Sequence, residues 1–363
     1  MNKKITTEGI EVMYVSDKKT VRNVSIDLLK IISMFMVVVL HTTSYGLEEA
    51  DIVPFSGAYW IETVLHSFSI VAVNCFVLIT GYFLCTAEFN YKKILNLWIQ
   101  VEVYSIGIYL ILCLVPVSGV DFSARILIEQ VCSLLTNQYW FFTCYALLFF
   151  ISPWLNRLIN ILAKSEYEKF LAGIFVVFSL IPTINIFGDS FGTQNGYSLL
   201  WFVVLYLIAG YIRKFPLSKK HFGIGYIILC IANLLLTVLG QGVSVTAFRA
   251  LLNLLTTTYN SCLVLGASIC LFLFAEQSTF EYGNFAKKII CRISGLSFGV
   301  YLLHENRFFR NFLWNGLIRL SEFTGNTGVF FLRFIGAVLL IFLAGIGVEW
   351  IRNSIINILY KRK

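Results

Sequence analysis

The sequence predicts an all-α, polytopic membrane protein with about ten transmembrane helices and both termini in the cytoplasm. Three observations lead there. Hydrophobic residues make up 58% of the 363-residue chain and charged residues only 13%, about half the charged fraction a soluble domain uses to wet its surface. The apolar residues form runs of about 20, long enough to cross a hydrocarbon core as helices. Stretches such as Ile31 to Leu40, Ile106 to Val117 and Leu263 to Phe274 are continuous and do not alternate as barrel strands do. The basic residues gather in every second connector, as orientation in a membrane requires.

Taken in order, the spans fall at about 26–45, 63–84, 95–117, 139–155, 169–187, 199–212, 222–240, 250–275, 293–312 and 329–351. The first follows a polar stretch (1–24) holding Lys3, Lys4, Lys18 and Lys19, and it lacks a small-residue cleavage site, so it reads as a retained span and not a signal peptide. A short acidic connector with Glu48, Glu49 and Asp51 leads to the second span, and Lys92 and Lys93 precede the third. From Asp121 to Gln138, Leu127, Val131, Leu134 and Leu135 share one helical face with Arg125 and Glu129 off it, the pattern of a helix lying in the outer interface. Tyr139-Trp140-Phe141-Phe142 opens the fourth span as an aromatic belt. Arg157, Lys164 and Lys169 follow it; Arg213, Lys214, Lys219 and Lys220 follow the sixth span; Lys287, Lys288 and Arg292 precede the ninth; and Arg352, Lys361, Arg362 and Lys363 close the chain (352–363). With Lys3, Lys4, Lys18, Lys19, Arg22 and Lys30 of the N-terminal group, 22 of the 28 basic residues then lie on the cytoplasmic side. Adding or removing one helix would scramble that alternation.

The net charge of +8 therefore reports membrane orientation and not a nucleic-acid surface. The nine cysteines are scattered through apolar runs without metal-type spacing and read as small hydrophobes. No connector is long enough for a soluble domain, and no internal repeat of the kind that builds many transporters is visible, so 25–351 forms a single transmembrane domain.

Ionisable groups inside spans mark candidate function. In the first span, Arg22, Asp27 and Lys30 stand near the cytoplasmic edge and His41 eleven residues beyond Lys30, close to three helical turns. Lys30 and His41 thus share one stripe, roughly 16 Å apart along the axis. The blander reading is a snorkelling lysine and a headgroup-level histidine. His66 and His304 also fall in the outer half, and Tyr301, His304, Glu305 and Arg307 cannot all face lipid cheaply. Glu305 either orients an imidazole or pairs with Arg307 or Arg310. Asn74, Thr80 and the Thr256 to Ser261 stretch with Asn260 add polar groups that serve as interhelical contacts individually and suggest a wet cavity together. No GxSxG, P-loop, HExxH or paired-carboxylate motif occurs.

These residues resemble the acyltransferase-three superfamily of integral-membrane acyltransferases, in particular its Gram-positive and WecH-like members that O-acetylate surface glycans. The likeness runs from about residue 22 to 351. It rests on Leu29-Lys30 to His41, on Phe76 to Leu84 with Thr80-Gly81-Tyr82, on Tyr139-Trp140-Phe141 through Leu148 to Asn156, on Leu207 to Arg213, and on Tyr301-Leu-Leu-His304. Lys30 stands where arginine is usual and Thr80 where serine is usual; lysine keeps the charge but loses bidentate geometry toward phosphate. The resemblance implies an enzyme of a bacterial plasma membrane that moves an acyl group, usually acetyl, from cytoplasmic acyl-coenzyme A to an outward-facing hydroxyl of a surface polysaccharide or its lipid-linked precursor. Acetyl-CoA is then a co-substrate, with no tightly bound cofactor, no metal and no nucleic-acid partner. Arg22, Asp27, Lys30, Lys92 and Arg213 become donor-site candidates, His41 the general base with His304 assisting, and His66, Trp140, Asn260, Tyr301 and Glu305 candidates for the acceptor side. A transporter or flippase of a glycan or small polar solute is the competing class, separable by whether the protein turns over acetyl-CoA. The acceptor, the acyl group, direct transfer against a covalent acyl-histidine, and the oligomeric state stay open.

Overall fold

The structure is a computed structural model that describes residues 22–48, 50–189 and 191–361. Lys3, Lys4, Lys18, Lys19, Glu49, Arg362 and Lys363 lie outside those residues. Regular structure there is helical throughout, beginning with α1 (Val24–Ser44), α2 (Gly57–Ser69), α3 (Ala72–Leu84), α4 (Tyr91–Cys113), α5 (Ala124–Val131) and α6 (Trp140–Ile161). It continues through α7 (Lys164–Phe175), α8 (Ile181–Ile184), α9 (Leu199–Lys214), α10 (Phe222–Gly242), α11 (Thr246–Thr257) and α12 (Cys262–Glu276), and ends with α13 (Asn284–His304), α14 (Arg307–Asn311) and α15 (Thr327–Lys361).

Local sequence explains many of the boundaries. Asn23 caps α1 by accepting from the backbone N–H groups of Ser25 (3.0 Å) and Ile26 (3.3 Å). Ser56, Asn90, Ser198, Ser261 and Asn306 do the same for α2, α4, α9, α12 and α14. Within α6, Pro153 has no N–H for the carbonyl of Phe149, and the hydroxyl of Ser152 donates to that oxygen instead at 2.7 Å. Between α7 and α8 a wide helical turn over Val176–Leu180 precedes Pro182. The stretch expected as one eighth span is divided at 258–261, where Ser261 starts a new helix.

Among the described residues, eight helical stretches are long and apolar enough to cross a bilayer, with α2–α3, α7–α8 and α11–α12 each counted as one. The other two expected spans are present as helices that fall short of that measure. The helix α9 has 16 residues, and α13 carries Lys287, Lys288 and Arg292 in its first half. Both face protein over much of their length: Trp201, Phe202, Leu205 and Tyr206 of α9, and Val300 and Leu302 of α13, are fully enclosed. A helix packed inside a bundle gains less from being apolar on every side than one facing lipid. In contrast, α10 exposes Ile224, Ile228 and Leu235, and α15 exposes Leu332, Leu340 and Leu343, as lipid-facing surfaces do. The chain is thus an all-α, multi-pass membrane protein. The last helix runs unbroken past residue 351 to Lys361, and the expected interfacial helix is the short α5, with Ile128 and Val131 exposed and Arg125 paired to Glu129 at 3.5 Å.

At the centre, α1 packs on α13, α3, α2, α15 and α12. Helices approach closely where small residues allow it. A methyl group on Gly81 of α3 would lie 3.0 Å from the Cα of Tyr206 in α9, and one on Gly345 of α15 would lie 2.6 Å from the Cα of Val300 in α13. Asn74 ties three further segments, donating to the carbonyl of Tyr259 (2.8 Å) and to Ser268 (3.2 Å) and accepting from the Trp201 indole (3.0 Å).

Candidate active site

A cavity of about 740 Å³ runs along α1, lined on that helix by Leu40, Thr43 and Ser44 and by the series Lys30, Met34, Val37 and His41. Their spacing of four, three and four residues is one helical stripe, as the sequence pattern predicts. The cavity therefore extends over about three turns of α1, from a Lys30 end, where Lys93 and Thr80 also contribute, to a His41 end with His66, Trp140 and Tyr301.

At the His41 end the hydrogen bonds fix the state of each ring. Nδ1 of His304 lies 2.5 Å from the carbonyl oxygen of Val300, which can only accept, so this nitrogen carries the proton. In neutral His304, Nε2 is then the acceptor. It faces Nδ1 of His41 at 2.8 Å, so His41 donates there and carries its proton on Nδ1. The remaining lone pair of His41, on Nε2, makes no hydrogen bond to the described residues and belongs to the edge of the ring left for the cavity. Oε2 of Glu305 sits 3.3 Å from the same Nδ1 of His41, ready to balance a charge that forms on the ring. The other carboxylate oxygen of Glu305 accepts from Tyr45 and Arg310, each at 3.3 Å, and Arg310 also donates to the Tyr45 hydroxyl at 2.9 Å while lying 4.3 Å from its ring centre. His304 and Glu305 are buried, while Arg310, the outer member of the network, keeps about a third of its side chain exposed.

Short-range sequence builds half of the arrangement. His304 is the last residue of α13 and Glu305 follows it because Asn306 begins a new helix, accepting from Phe308 (3.1 Å) and Phe309 (3.2 Å). Asn306 also donates to the Tyr139 hydroxyl (3.0 Å), which donates in turn to the carbonyl of Leu302 (3.1 Å). The other half, the meeting of His41 with His304, depends on the packing of α1 against α13.

The remaining candidates divide. His66, Trp140 and Tyr301 line the cavity. Asn260 does not; its amide is buried and donates to Thr193 (3.0 Å) and to the carbonyl of Phe178 (3.4 Å), because the 258–261 break turns it away from the lumen. Lys92 is exposed at the start of α4, and its neighbour Lys93 faces the cavity instead. Arg22 and Asp27 are bound to one another through two hydrogen bonds of 2.5 and 2.9 Å, and Asp27 also accepts from Ser294 at 2.8 Å. That set fastens α1 to α13 below the cavity. Arg213 is likewise engaged, donating to Tyr82 (2.9 Å), whose hydroxyl donates to Glu276 (2.9 Å). Tyr45, Tyr197 and Tyr259 complete the His41 end. Tyr45 could have been suspected from its place one turn beyond His41, whereas nothing in the sequence distinguished Tyr197.

No curated relative and no solved structure matches the chain at the significance required. A family model described as an acyltransferase domain matches residues 23–346, nearly the whole chain and every helix that lines the cavity. The protein, with its paired histidines at one end of a membrane-buried cavity, belongs to the acyltransferase-3 family of membrane acyltransferases.

Proposed function

We propose that the protein is an O-acetyltransferase that passes the acetyl group of cytoplasmic acetyl-CoA to a hydroxyl of a surface glycan or its lipid-linked precursor. The observation that carries this reading is the proton arrangement of His41: Nδ1 donates to His304, with Oε2 of Glu305 3.3 Å away, and Nε2 is left as a base at one end of the cavity. The basic connectors put the Lys30 end on the cytoplasmic side and His41 toward the outer surface. Lys30 and Lys93 then stand as point charges where the donor's phosphates enter, with the acyl arm extending along the stripe of α1.

In the reaction the acceptor hydroxyl gives its proton to Nε2 of His41 as its oxygen bonds to the thioester carbonyl carbon. The imidazolium so formed keeps its Nδ1–H on His304 and is balanced by Glu305. Collapse of the tetrahedral intermediate breaks the carbon–sulfur bond, and the thiolate of coenzyme A takes the proton back from His41. Ester and free thiol are the products, and atoms and charge balance without a metal or covalent enzyme intermediate. General-base assistance of this kind contributes about 10²–10⁴ in rate.

The test is transfer of label from radioactive acetyl-CoA into the surface glycan of membranes bearing the wild type or His41→Ala. Loss of transfer with normal membrane abundance is the expected result. Retained transfer overturns the assignment of His41, and a wild type that turns over no acetyl-CoA overturns the reaction itself.

A further inference from the structure

At the His41 end, three rings of the cavity wall come from distant parts of the chain. Trp140 opens α6, Tyr197 precedes α9, and Tyr259 lies in the break between α11 and α12. Their centroids form a triangle: Trp140 to Tyr197 4.7 Å, Tyr197 to Tyr259 4.8 Å, Trp140 to Tyr259 6.5 Å, the last pair nearly parallel at 19°. Tyr197 is 45% exposed although its two partners are enclosed or partly so.

The segment carrying Tyr197 is held in an unusual path. Gly188, Gly192, Gln194, Asn195 and Gly196 all have positive φ, and two of them are not glycine. Such a path persists only when surrounding contacts impose it. They are present here: Asp189 accepts from the backbone of Thr193 (3.1 Å) and Gln194 (2.5 Å) and from the Thr193 hydroxyl (2.9 Å). Asn260 donates to that same hydroxyl oxygen (3.0 Å), and the N–H of Tyr259 donates to the carbonyl of Asn195 (3.0 Å). A side chain at position 196 would place its Cβ 2.5 Å from the Cβ of Tyr259, so loop and wall touch directly. The clamp that fixes the loop is therefore the clamp that sets Tyr197 against Tyr259 and Trp140.

We infer that this aromatic wall is the acceptor subsite, stacking on the apolar face of a pyranose ring, and that Asp189 and Asn260 are positioning residues that set its shape. The inference rests on the reading of the protein as a hydroxyl-directed acyltransferase. The chemistry follows from the arrangement of the rings. A cage for a quaternary ammonium group keeps its rings apart, with the ion about 6 Å or less from each centroid. Here the rings pack on one another, with Tyr197 tilted 51° to Trp140 and 48° to Tyr259, so it is chiefly the half-exposed Tyr197 that offers the cavity its face. The negative π surface of that face attracts the slightly positive C–H bonds on one side of a sugar ring, and the tyrosine hydroxyls offer hydrogen bonds at its edge. His41, 5.2 Å from the ring centre of Tyr45 on the same cavity wall, is then the base for a hydroxyl of the stacked sugar.

The experiment uses the full-length protein in nanodiscs with acetyl-CoA, and cellotetraose, chitotetraose and the open-chain polyol ribitol as acceptor probes. Two quantities are read: the acceptor KM, and the ratio of acceptor transfer to acceptor-independent hydrolysis of acetyl-CoA. Trp140→Ala and Tyr197→Leu should raise the KM of at least one of the two sugars about tenfold and lower the ratio by a similar factor. Asn260→Ala should reproduce the Tyr197→Leu effect, and Tyr197→Phe should stay within threefold. Trp154→Ala, an exposed aromatic on α6 outside the cavity, is the control. Unchanged sugar KM in both Trp140→Ala and Tyr197→Leu overturns the inference, as does transfer to ribitol as efficient as to the sugars, or hydrolysis with no transfer to either sugar. Loss of hydrolysis in step with transfer assigns the wall to fold or chemistry and overturns it too. A wild type that neither transfers the acetyl group nor hydrolyses acetyl-CoA refutes the underlying reaction instead.

Discussion

At one end of α1, His41 is held through Nδ1 by His304 and Glu305, and Glu305 is held by Tyr45 and Arg310. At the other end, Lys30 and Lys93 face the cavity without an ion pair among the described residues, while the acid nearest in sequence, Asp27, is taken up by Arg22 and Ser294. Both ends are polar and both lie on the same stripe. They differ in how far their geometry is fixed in advance. A base must hold one tautomer and one orientation, and a buried network provides that. A site for a flexible, highly charged group is served by point charges on long side chains that adjust to it. The contrast predicts that damage at the His41 end lowers turnover, and damage at the Lys30 end weakens donor binding.

Substitutions at the two ends break or sharpen that contrast, from the largest effect to the smallest. His41→Ala should lower acetyl transfer by about 10³-fold or more, read in membranes at saturating donor. His304→Ala should lower kcat by about 10²-fold with the donor KM unchanged, because His41 loses the acceptor that holds its proton on Nδ1; equal loss in kcat and binding would mean that the network only supports the fold. At the other end, Lys30→Ala should raise the donor KM about tenfold with kcat within twofold, Lys30→Arg should restore it, and Lys93→Ala should weaken binding where Lys92→Ala does not. A kcat effect at Lys30 as large as that at His304 would erase the distinction between the ends. The smallest effect belongs to Asp27→Ala, which removes the link from α1 to Ser294 and should destabilise the protein by about 1–2 kcal/mol in detergent unfolding, leaving acceptor KM unchanged.

Much of the site could be read from sequence because it is local. The stripe from Lys30 to His41 follows from helical geometry, and the clustering of Tyr301, His304 and Glu305 follows from their spacing at the end of a helix. The donor-side candidates were harder to rank. Arg22, Asp27 and Arg213 are ionisable and close to the right end, yet each is engaged: Arg22 by its neighbour Asp27, and Asp27 and Arg213 also by partners far away in the chain, Ser294 and Tyr82. Lys92 and Lys93 are adjacent, and one residue on a helix turns a side chain by about 100°, enough to move it from the lumen to the outside. Asn260 looked like a lining group and is instead the clamp of a loop 67 residues away in sequence.

By itself, then, the sequence determined what depends on neighbours: which stretches are apolar helices, which end of each helix carries the cations, and which residues of α1 share a face. Only the tertiary structure decided what depends on contact between distant segments. It set the ring of His304 against His41 across 263 residues, gave Glu305 to Tyr45 and Arg310, and assembled Trp140, Tyr197 and Tyr259 into one wall. The physical reason is range. Helix formation and membrane partition act within one span, whereas the proton position on an imidazole and the shape of a cavity wall depend on atoms within a few ångströms, whichever helix supplies them.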